Sequence, residues 1–287
     1  MVEVQDALSP MKNFKFGCDP ELFIQNDKGD YVSAEGLLPG TKSDPFPVEH
    51  GAVQVDGMAA EFNIDPVNNF KDFNRNIAAV LDQLKGMLPT GYTLHAVPAV
   101  TFNESVWESA PPKAKELGCS PDFNAWTGMV NPPPNDPENP RLRTASGHLH
   151  IGWTDDQSTA NLQHIVNCQD LVKQLDWYLG AWSLIQDHDP TRRRLYGQAG
   201  ACRYKPYGVE YRVLSNFWVL DETTRLEVWN RMNSAIKNMR TNYFPDIAKL
   251  STRYKFNDSL IQSINESNLD TRLLSKFVFP IADWRRD

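Results

Sequence analysis

Three short stretches of this chain set chemically active side chains two residues apart within sequence that otherwise reads as β-strand: Asp19-Pro-Glu21, His148-Leu-His150 and Glu210-Tyr-Arg212. The third lies in the run from Tyr207 to Trp218, whose β-branched and aromatic residues alternate with period two. Val209, Tyr211 and Val213 then share one face, and Glu210 and Arg212 the other. A fourth stretch, Val53 to Phe62, sets Asp56 and Glu61 around the turn signal Asp56-Gly57. A half-buried strand with a solvated charged face accounts for any one of these. Their repetition suggests instead a sheet with one face lined by carboxylates and histidines, the composition of a metal-lined cavity.

At 287 residues and 41% hydrophobic content the chain can bury a full core. Its net charge of −7 argues against a nucleic-acid partner gripped through phosphates. The N-terminus lacks the basic start and apolar run of a secretion signal. The nearest approach to a membrane span, Leu171 to Ile185, contains Lys173 and Asp176. Cys18, Cys119, Cys168 and Cys202 are scattered without zinc-type or disulfide-type spacing. The expectation is a soluble cytoplasmic protein with free thiols and no membrane partner.

In chain order, residues 1–12 read as a loose leader and 13–287 as one domain. Asn13 to Gln25 reads as a strand that turns at Asn26–Gly29 into a second, Asp30 to Ala34. Asp19 and Glu21 share one face and Leu22 and Ile24 the other. Pro20 cannot donate to a ladder, which predicts an edge, a bulge or the strand's limit. Glu35 to Pro47 is a Gly- and Pro-rich loop carrying Lys42. In the following hairpin Asp56 reads equally well as the turn residue itself. Glu61, among Ala, Phe and Ile, calls for a cation or a metal beside it.

Asn69 to Leu88 is the clearest helix, with Phe70, Phe73, Ile77, Leu81, Leu84 and Leu88 at helical spacing and an asparagine cap. Tyr92 to Val100 reads as a strand containing His95. Residues 108–145 form a long Pro-rich segment, read as a lid or rim in which Asp122 and Asn124 face a ligand. Thr154 to Leu184 reads as a long helix with Leu162, Ile165, Leu171, Leu175, Leu179 and Trp182 in the core, ended by Asp187–Pro190. His188 there reads as capping or solvated. Thr191 to Tyr207 is the most basic window of an acidic chain. Cations beside a carboxylate-lined metal site suit a polyphosphate, with metals bridging its oxygens and guanidinium forks holding the rest. Arg193, Arg203, Lys205 and Arg212 are the nucleotide-binding candidates. A helix from Asp221 to Met239 presents Leu226, Trp229, Met232 and Ile236, and shorter helices follow through Ala248, Ile261 and Leu273.

Early hairpins with later long helices predict an α+β fold, a mainly antiparallel curved sheet with helices on one face. Several carboxylates with one or two histidines favour Mg²⁺, with Mn²⁺ also suitable, over zinc. No Gly-x-x-x-x-Gly-Lys-Ser/Thr loop occurs, so ATP would be held by metals and arginines on the sheet.

Four motifs together carry a family resemblance: Gly17-Cys-Asp-Pro-Glu-Leu-Phe23, Val55-Asp-Gly-Met-Ala-Ala-Glu-Phe-Asn63, Ser146-Gly-His-Leu-His-Ile-Gly152, and Tyr196-Gly-Gln-Ala-Gly200 leading on to Glu210-Tyr-Arg212. In their order and joint presence the chain resembles the phage-type COOH·NH2 ligases, amidoligases related to glutamine synthetase and glutamate–cysteine ligase. The resemblance covers roughly residues 13–220. It implies a glutamine synthetase-like antiparallel sheet with a funnel holding MgATP at one end and an amino acid or peptide at the other. By it, Asp19, Glu21, Glu61, His148 and Glu210 match metal-binding positions, and Arg203 and Arg212 match phosphate-binding ones. Asp19 departs from the family, whose members often carry glutamate there.

The implied reaction is ATP-dependent and two-step. A substrate carboxylate becomes an acyl phosphate, which an amine then attacks, with Glu210 and Arg212 catalytic and His150 near the amine. The carboxylate and amine partners are small molecules or peptides, and the setting is a host cytoplasm if the chain is phage-encoded. Two rival readings use the same residues: a phosphagen-kinase-like phosphotransferase, and a zinc hydrolase built on His148, His150 and Glu210. A third is a non-enzymatic phage protein with a decayed site, which would bind no nucleotide.

Overall fold

The computed structural model describes residues 11, 13–116, 122–240 and 253–268. The leader expected at 1–12 lies outside these apart from Met11, as do Cys119 and the helical positions expected at Ala248 and Leu273.

The organising strand is β1 (Lys15–Gln25). It is followed by β2 (Tyr31–Val32), β3 (Phe46–Val48), and the hairpin β4 (Gly51–Asp56) and β5 (Ala59–Ile64). Helix α1 (Phe70–Met87) begins at Asn69, whose side chain accepts from the Asp72 N–H. Then come β6 (Thr93–His95), β7 (Ala99–Thr101), the short helices α2 (Glu104–Ser109) and α3 (Pro112–Lys115), β8 (Phe123–Asn124), β9 (Leu142–Thr144) and β10 (Gly147–Gly152). Helix α4 (Leu162–Leu175) passes through a π-turn at Asp176–Gly180 into α5 (Ala181–Gln186). Helix α6 (Thr191–Leu195), β11 (Ala201–Lys205), β12 (Gly208–Tyr211), α7 (Glu222–Arg240) and α8 (Arg253–Glu266) complete the described chain.

Among the described residues, ten strands form one sheet in the order β3-β4-β5-β1-β10-β12-β11-β8, with β2 and β6 also paired to β1. Every strand pair in it is antiparallel. One face carries Leu22, Ile24, Phe62, Leu149, Ile151, Val209 and Tyr211, which are buried in a single cluster with residues of α1, α4, α5 and α7. These longer helices cover that face, while the opposite face carries Asp19, Glu21, Glu61, His148 and Glu210. The expectation of helices on one face only is corrected, since the short α2 and α3 pack on the acid-bearing face against Phe23, Met58 and Ala59.

Two local expectations are corrected. Pro20 marks neither an edge nor the strand's end: β1 sits mid-sheet, paired with β10 along Lys15–Pro20 and with β5 at Glu21 and Leu22. Proline is tolerated because it falls where the β10 register stops, so no ladder donor is required of it. The strand from Tyr207 stops at Tyr211, and Asn216–Trp218 is a 3₁₀ turn that buries Trp218 completely. Its Nε1–H donates to the carbonyl of Gly147 at 3.2 Å, and a Cβ on Gly147 would lie 2.5 Å from that nitrogen, so only glycine fits. The charged side of β12 is turned away from solvent, as a lined cavity requires, with Glu210 0% exposed.

The helices also differ in detail. The helix expected from Thr154 begins at Leu162, which is 79% exposed rather than in the core. Asn161 caps it and sets that start, its side chain accepting from the His164 N–H. Leu226 likewise faces outward at 38%, while Trp229, Met232 and Ile236 are buried. The strand expected over Tyr92–Val100 is broken between β6 and β7, and His95 pairs with the Thr93 hydroxyl at 2.9 Å. His188 is exposed.

Candidate active site

Period-two geometry on adjacent strands brings together residues far apart in sequence. In register, Asp19 lies opposite His148, Glu21 opposite Glu61, and His150 opposite Glu210, which in turn faces Arg203 on β11. Because each partner is at the same pleat position, all their side chains emerge on the face away from α1, α4, α5 and α7.

Two groups of potential ligand atoms result. In one, Asp19, His150 and Glu210 each offer an atom within 4.8 Å of the others; in the second, Glu21, Asp56 and Glu61 do the same. His148 stands beside the first, its Nδ1 3.4 Å from Asp19 Oδ1 and 3.6 Å from Glu210 Oε1. Asp56, which the sequence allowed to be only a turn residue, is thus drawn into the acid cluster, where Lys42 Nζ reaches its Oδ2 at 2.9 Å.

The electrostatics of the groups differ. Burial alone would raise the Asp19 carboxyl, but His150 and His148 hold it well below the usual range. Burial and the Asp19 charge likewise work against Glu210, yet Arg212, His148 and His150 bring it down to about 2. Burial and Arg212 push His148 down to about 4, whereas Asp19 and Glu210 overcome the burial of His150 and raise it. In the second group burial and the Asp56 charge push Glu21 up to about 7. Burial, with Asp19, Glu21 and Asp56 around it, lifts Glu61 well above its usual value. The first group balances its charge internally. The second is short of positive charge.

Orphaned atoms mark the same places. Asp19 Oδ1 and His150 Nε2 lie 2.9 Å apart, but both are buried and neither makes a properly angled hydrogen bond. Glu61 Oε2 and Glu210 Oε2 are also buried without one, although Lys205 Nζ comes within 2.8 Å of the latter. Buried carboxylate and imidazole atoms left without a well-angled hydrogen bond are what a bound cation satisfies, so the donor set fits a metal.

Of the cations expected here, three are brought to Glu210. Arg212 Nη1 is in contact with Glu210 Oε1, Arg203 Nη1 lies 3.4 Å from the same oxygen, and Lys205 takes the other. Arg212 Nε also donates to Asp122 Oδ2 at 3.3 Å. Arg193 is not brought to the site. It is 1% exposed and bonded to the Asp187 carbonyl, Ser183 Oγ and Ser267 Oγ, so it ties α5, α6 and the end of α8 together. The basic run could not reveal this, because neighbouring arginines on one helical turn point in different directions. Its neighbour Arg192 is fully buried behind the site. Its guanidinium donates to Ser146 Oγ and to the carbonyls of Arg212 and Val213, while the Ser146 N–H donates to Glu21 Oε2 at 2.7 Å.

Sequence reasoning missed Lys42 as an acid partner and Tyr207, whose hydroxyl contacts His150 Nδ1. Lys42 is in a loop without periodicity, and Tyr207, at the head of the period-two run, sits in the turn before β12 rather than on the strand.

Three cavities adjoin here. The acid cavity, about 100 Å³, is lined by Asp19, Glu21, Asp56, Glu61, Arg203 and Arg212 among others. A chamber of about 850 Å³ shares Asp19, Lys42 and Glu61 with it and extends to Trp153 and Tyr207. A cleft of about 310 Å³ shares Tyr196 with it on the side of Asp122 and Pro132–Pro134. No helix among the described residues is long and apolar enough to cross a membrane.

Residues 145–270 match the family model described as phage phiEco32-like COOH.NH2 ligase-type 2. The matched segment contains His148, His150, Arg203, Glu210 and Arg212, and lies beyond Asp19, Glu21, Asp56 and Glu61. Nothing among the curated proteins matches the chain. A crystal structure of a bifunctional glutathione synthetase from Pasteurella multocida is similar over 98% of this chain and 49% of its own, with a TM-score of 0.43 and 8% identity. The chain thus spans about half the length of that protein. The family match supports an enzyme of the carbon–nitrogen ligase type.

Proposed function

We propose that this protein is an ATP-dependent carboxylate–amine ligase, built as a single glutamine synthetase-like domain and working through an acyl phosphate. The observation that carries the reading is the pair of ligand groups on one sheet face with Arg203, Lys205 and Arg212 beside them. A site with two acid clusters and three cations suits a substrate that is itself polyanionic and metal-bound. Asp19, His150 and Glu210 would hold one Mg²⁺ or Mn²⁺, and Glu21, Asp56 and Glu61 a second, with His148 next to the first. Bound there, the metals would act as Lewis acids that offset phosphoryl charge.

The chain's own residues supply the rest. The 850 Å³ chamber, with Trp153 and Tyr207 in its wall, has the size and the aromatic surface for a nucleoside. Arg203, Lys205 and Arg212 neutralise the γ-phosphoryl oxygens during transfer to the substrate carboxylate. The amine then attacks the acyl phosphate carbon, the C–O bond to phosphate breaks, and the same cations stabilise the tetrahedral intermediate and the departing phosphate. His148, beside the first ligand group rather than in it, is the acceptor on this face for the proton the amine loses.

The test is a thermal-shift series on protein alone, with Mg²⁺, with Mg²⁺ plus a non-hydrolysable ATP analogue, and with Zn²⁺. Ligand at about a hundred times its Kd adds about 2.7 kcal/mol of stability. The expected outcome is a rise that needs both Mg²⁺ and nucleotide. A rise with Zn²⁺ alone would replace this reading with the hydrolase.

A further inference from the structure

The motif Tyr196-Gly-Gln-Ala-Gly200 has no part in the chemistry above, yet Tyr196, Gly197 and Gln198 line the 310 Å³ cleft next to the acid cavity. Three features of that loop point to an anion. First, Gly197 has φ +74°, in the left-handed region, and its added Cβ would lie 2.0 Å from Arg192 Nη1, so the loop is held to glycine there. Second, the N–H groups on either side are engaged. Tyr196 donates to the Arg192 carbonyl at 2.7 Å, and Ala199 to Asn265 Oδ1 at 2.7 Å. Those of Gly197 and Gln198 have no hydrogen-bond partner among the described residues, although Gly197 is buried. Buried orphan N–H groups are rare in folded proteins, and successive ones at a left-handed residue form an anion-binding concavity. Third, the exposed Arg194 lines the same cleft and has no acidic partner among the described residues.

The cleft's place in the molecule says what the anion belongs to. Tyr196 is in the wall of both the cleft and the acid cavity. Asp122, also in the cleft wall, accepts from Arg212 and from Asn131, so both its oxygens are used and it offers little to a cationic ligand. Pro132–Pro134 also line the cleft, and their fixed φ angles leave little freedom to reshape it. A volume of 310 Å³ is at the small end of ligand pockets.

We propose that this cleft seats the carboxylate-bearing substrate, and that this substrate is a small molecule with a second anionic group, held by Arg194 and the Gly197 and Gln198 N–H groups. Its reacting carboxyl extends past Tyr196 to the acid cavity. The inference rests on the ligase reading for what happens to that carboxyl, but not for the binding itself.

The experiment is titration calorimetry of the wild-type chain and Arg194→Gln with glutarate, which has two carboxylates, and butyrate, which has one. Arg194 is exposed, so the variant keeps its fold. Wild type is expected to bind glutarate at least tenfold more tightly than butyrate, and Arg194→Gln to remove that difference. Equal affinity for the two acids, an unchanged difference in Arg194→Gln, or no glutarate binding at tens of millimolar would each overturn the proposal. Stabilisation by Mg²⁺ and the ATP analogue, measured on the same two proteins, is expected to be unaltered by Arg194→Gln. Its absence from wild type would sink the ligase reading and leave the cleft to be judged by the titrations alone.

Discussion

Asp176 offers a quantitative test of the reasoning about buried charge. It lies in the π-turn between α4 and α5, is fully buried, and accepts from Trp126 Nε1 at 2.6 Å and from the Tyr211 hydroxyl at 2.8 Å. Burial pushes its carboxyl up to about 7, against the lowering effect of those two donors. The unfolded value is the ordinary 3.8. Because the folded state binds the proton more tightly, the group's contribution is complete below about pH 4 and is lost as pH rises through about 7. A shift of roughly 3 units at 1.36 kcal/mol each gives about 4 kcal/mol in total, of which about 2.5 kcal/mol falls between pH 5 and 8. Asp176→Asn retains shape and one acceptor but cannot titrate. Urea unfolding of both proteins at pH 5 and pH 8 therefore isolates the effect, since other carboxylates cancel in the comparison. Wild type is expected to lose about 2.5 kcal/mol more than the variant over that interval. Parallel pH dependence in the two proteins would refute the argument, and a variant that loses more than wild type would reverse its sign.

Other outcomes follow from the same geometry. Glu210→Ala removes the acid that three cations surround and is expected to abolish ADP release in the presence of Mg²⁺ and any productive carboxylate–amine pair; retained turnover would sink its assignment. Gly197→Ala places a Cβ against Arg192 in a left-handed backbone and is expected to cost about 1–3 kcal/mol, read from the urea midpoint. Trp218→Ala empties a fully buried site beside Gly147 and Phe73 and is expected to cost about 3–5 kcal/mol by the same assay.

What the sequence made legible was periodic. Asp19 with Glu21, His148 with His150, and Glu210 with Arg212 could be placed on strand faces because a strand's alternation survives whatever packs against it. The hairpin through Asp56-Gly57 and the Asn69-capped helix were readable for the same reason: local chemistry specified them. What could not be read depended on neighbours. Pro20 looked like an edge because a proline cannot donate, but only the register against β10 shows that no donor was wanted there. Arg193 and Arg203 look alike in a basic run, yet one is buried between helices and the other faces Glu210. The start of α4 at Leu162 is set by the Asn161 cap, whereas the polar stretch from Thr154, read as its beginning, carries no apolar pattern to decide the point.

The order of strands in the sheet has a consequence for how the site comes into being. The acids of β1 meet Glu61 across about forty residues of chain, but His148 only across about 130 and Glu210 across about 190. A partly synthesised chain that has made β1, β4 and β5 already concentrates Asp19, Glu21, Asp56 and Glu61, while every arginine and histidine that would balance them is still to come. Closing such long loops is slow and follows the local hairpins. The acid hairpin, with Lys42 at Asp56, is thus expected to form first and the strands bearing the histidines and arginines to join it later. Refolding is expected to accelerate when Mg²⁺ or Mn²⁺ is present from the start, because the cation takes the place of the missing strands until they arrive.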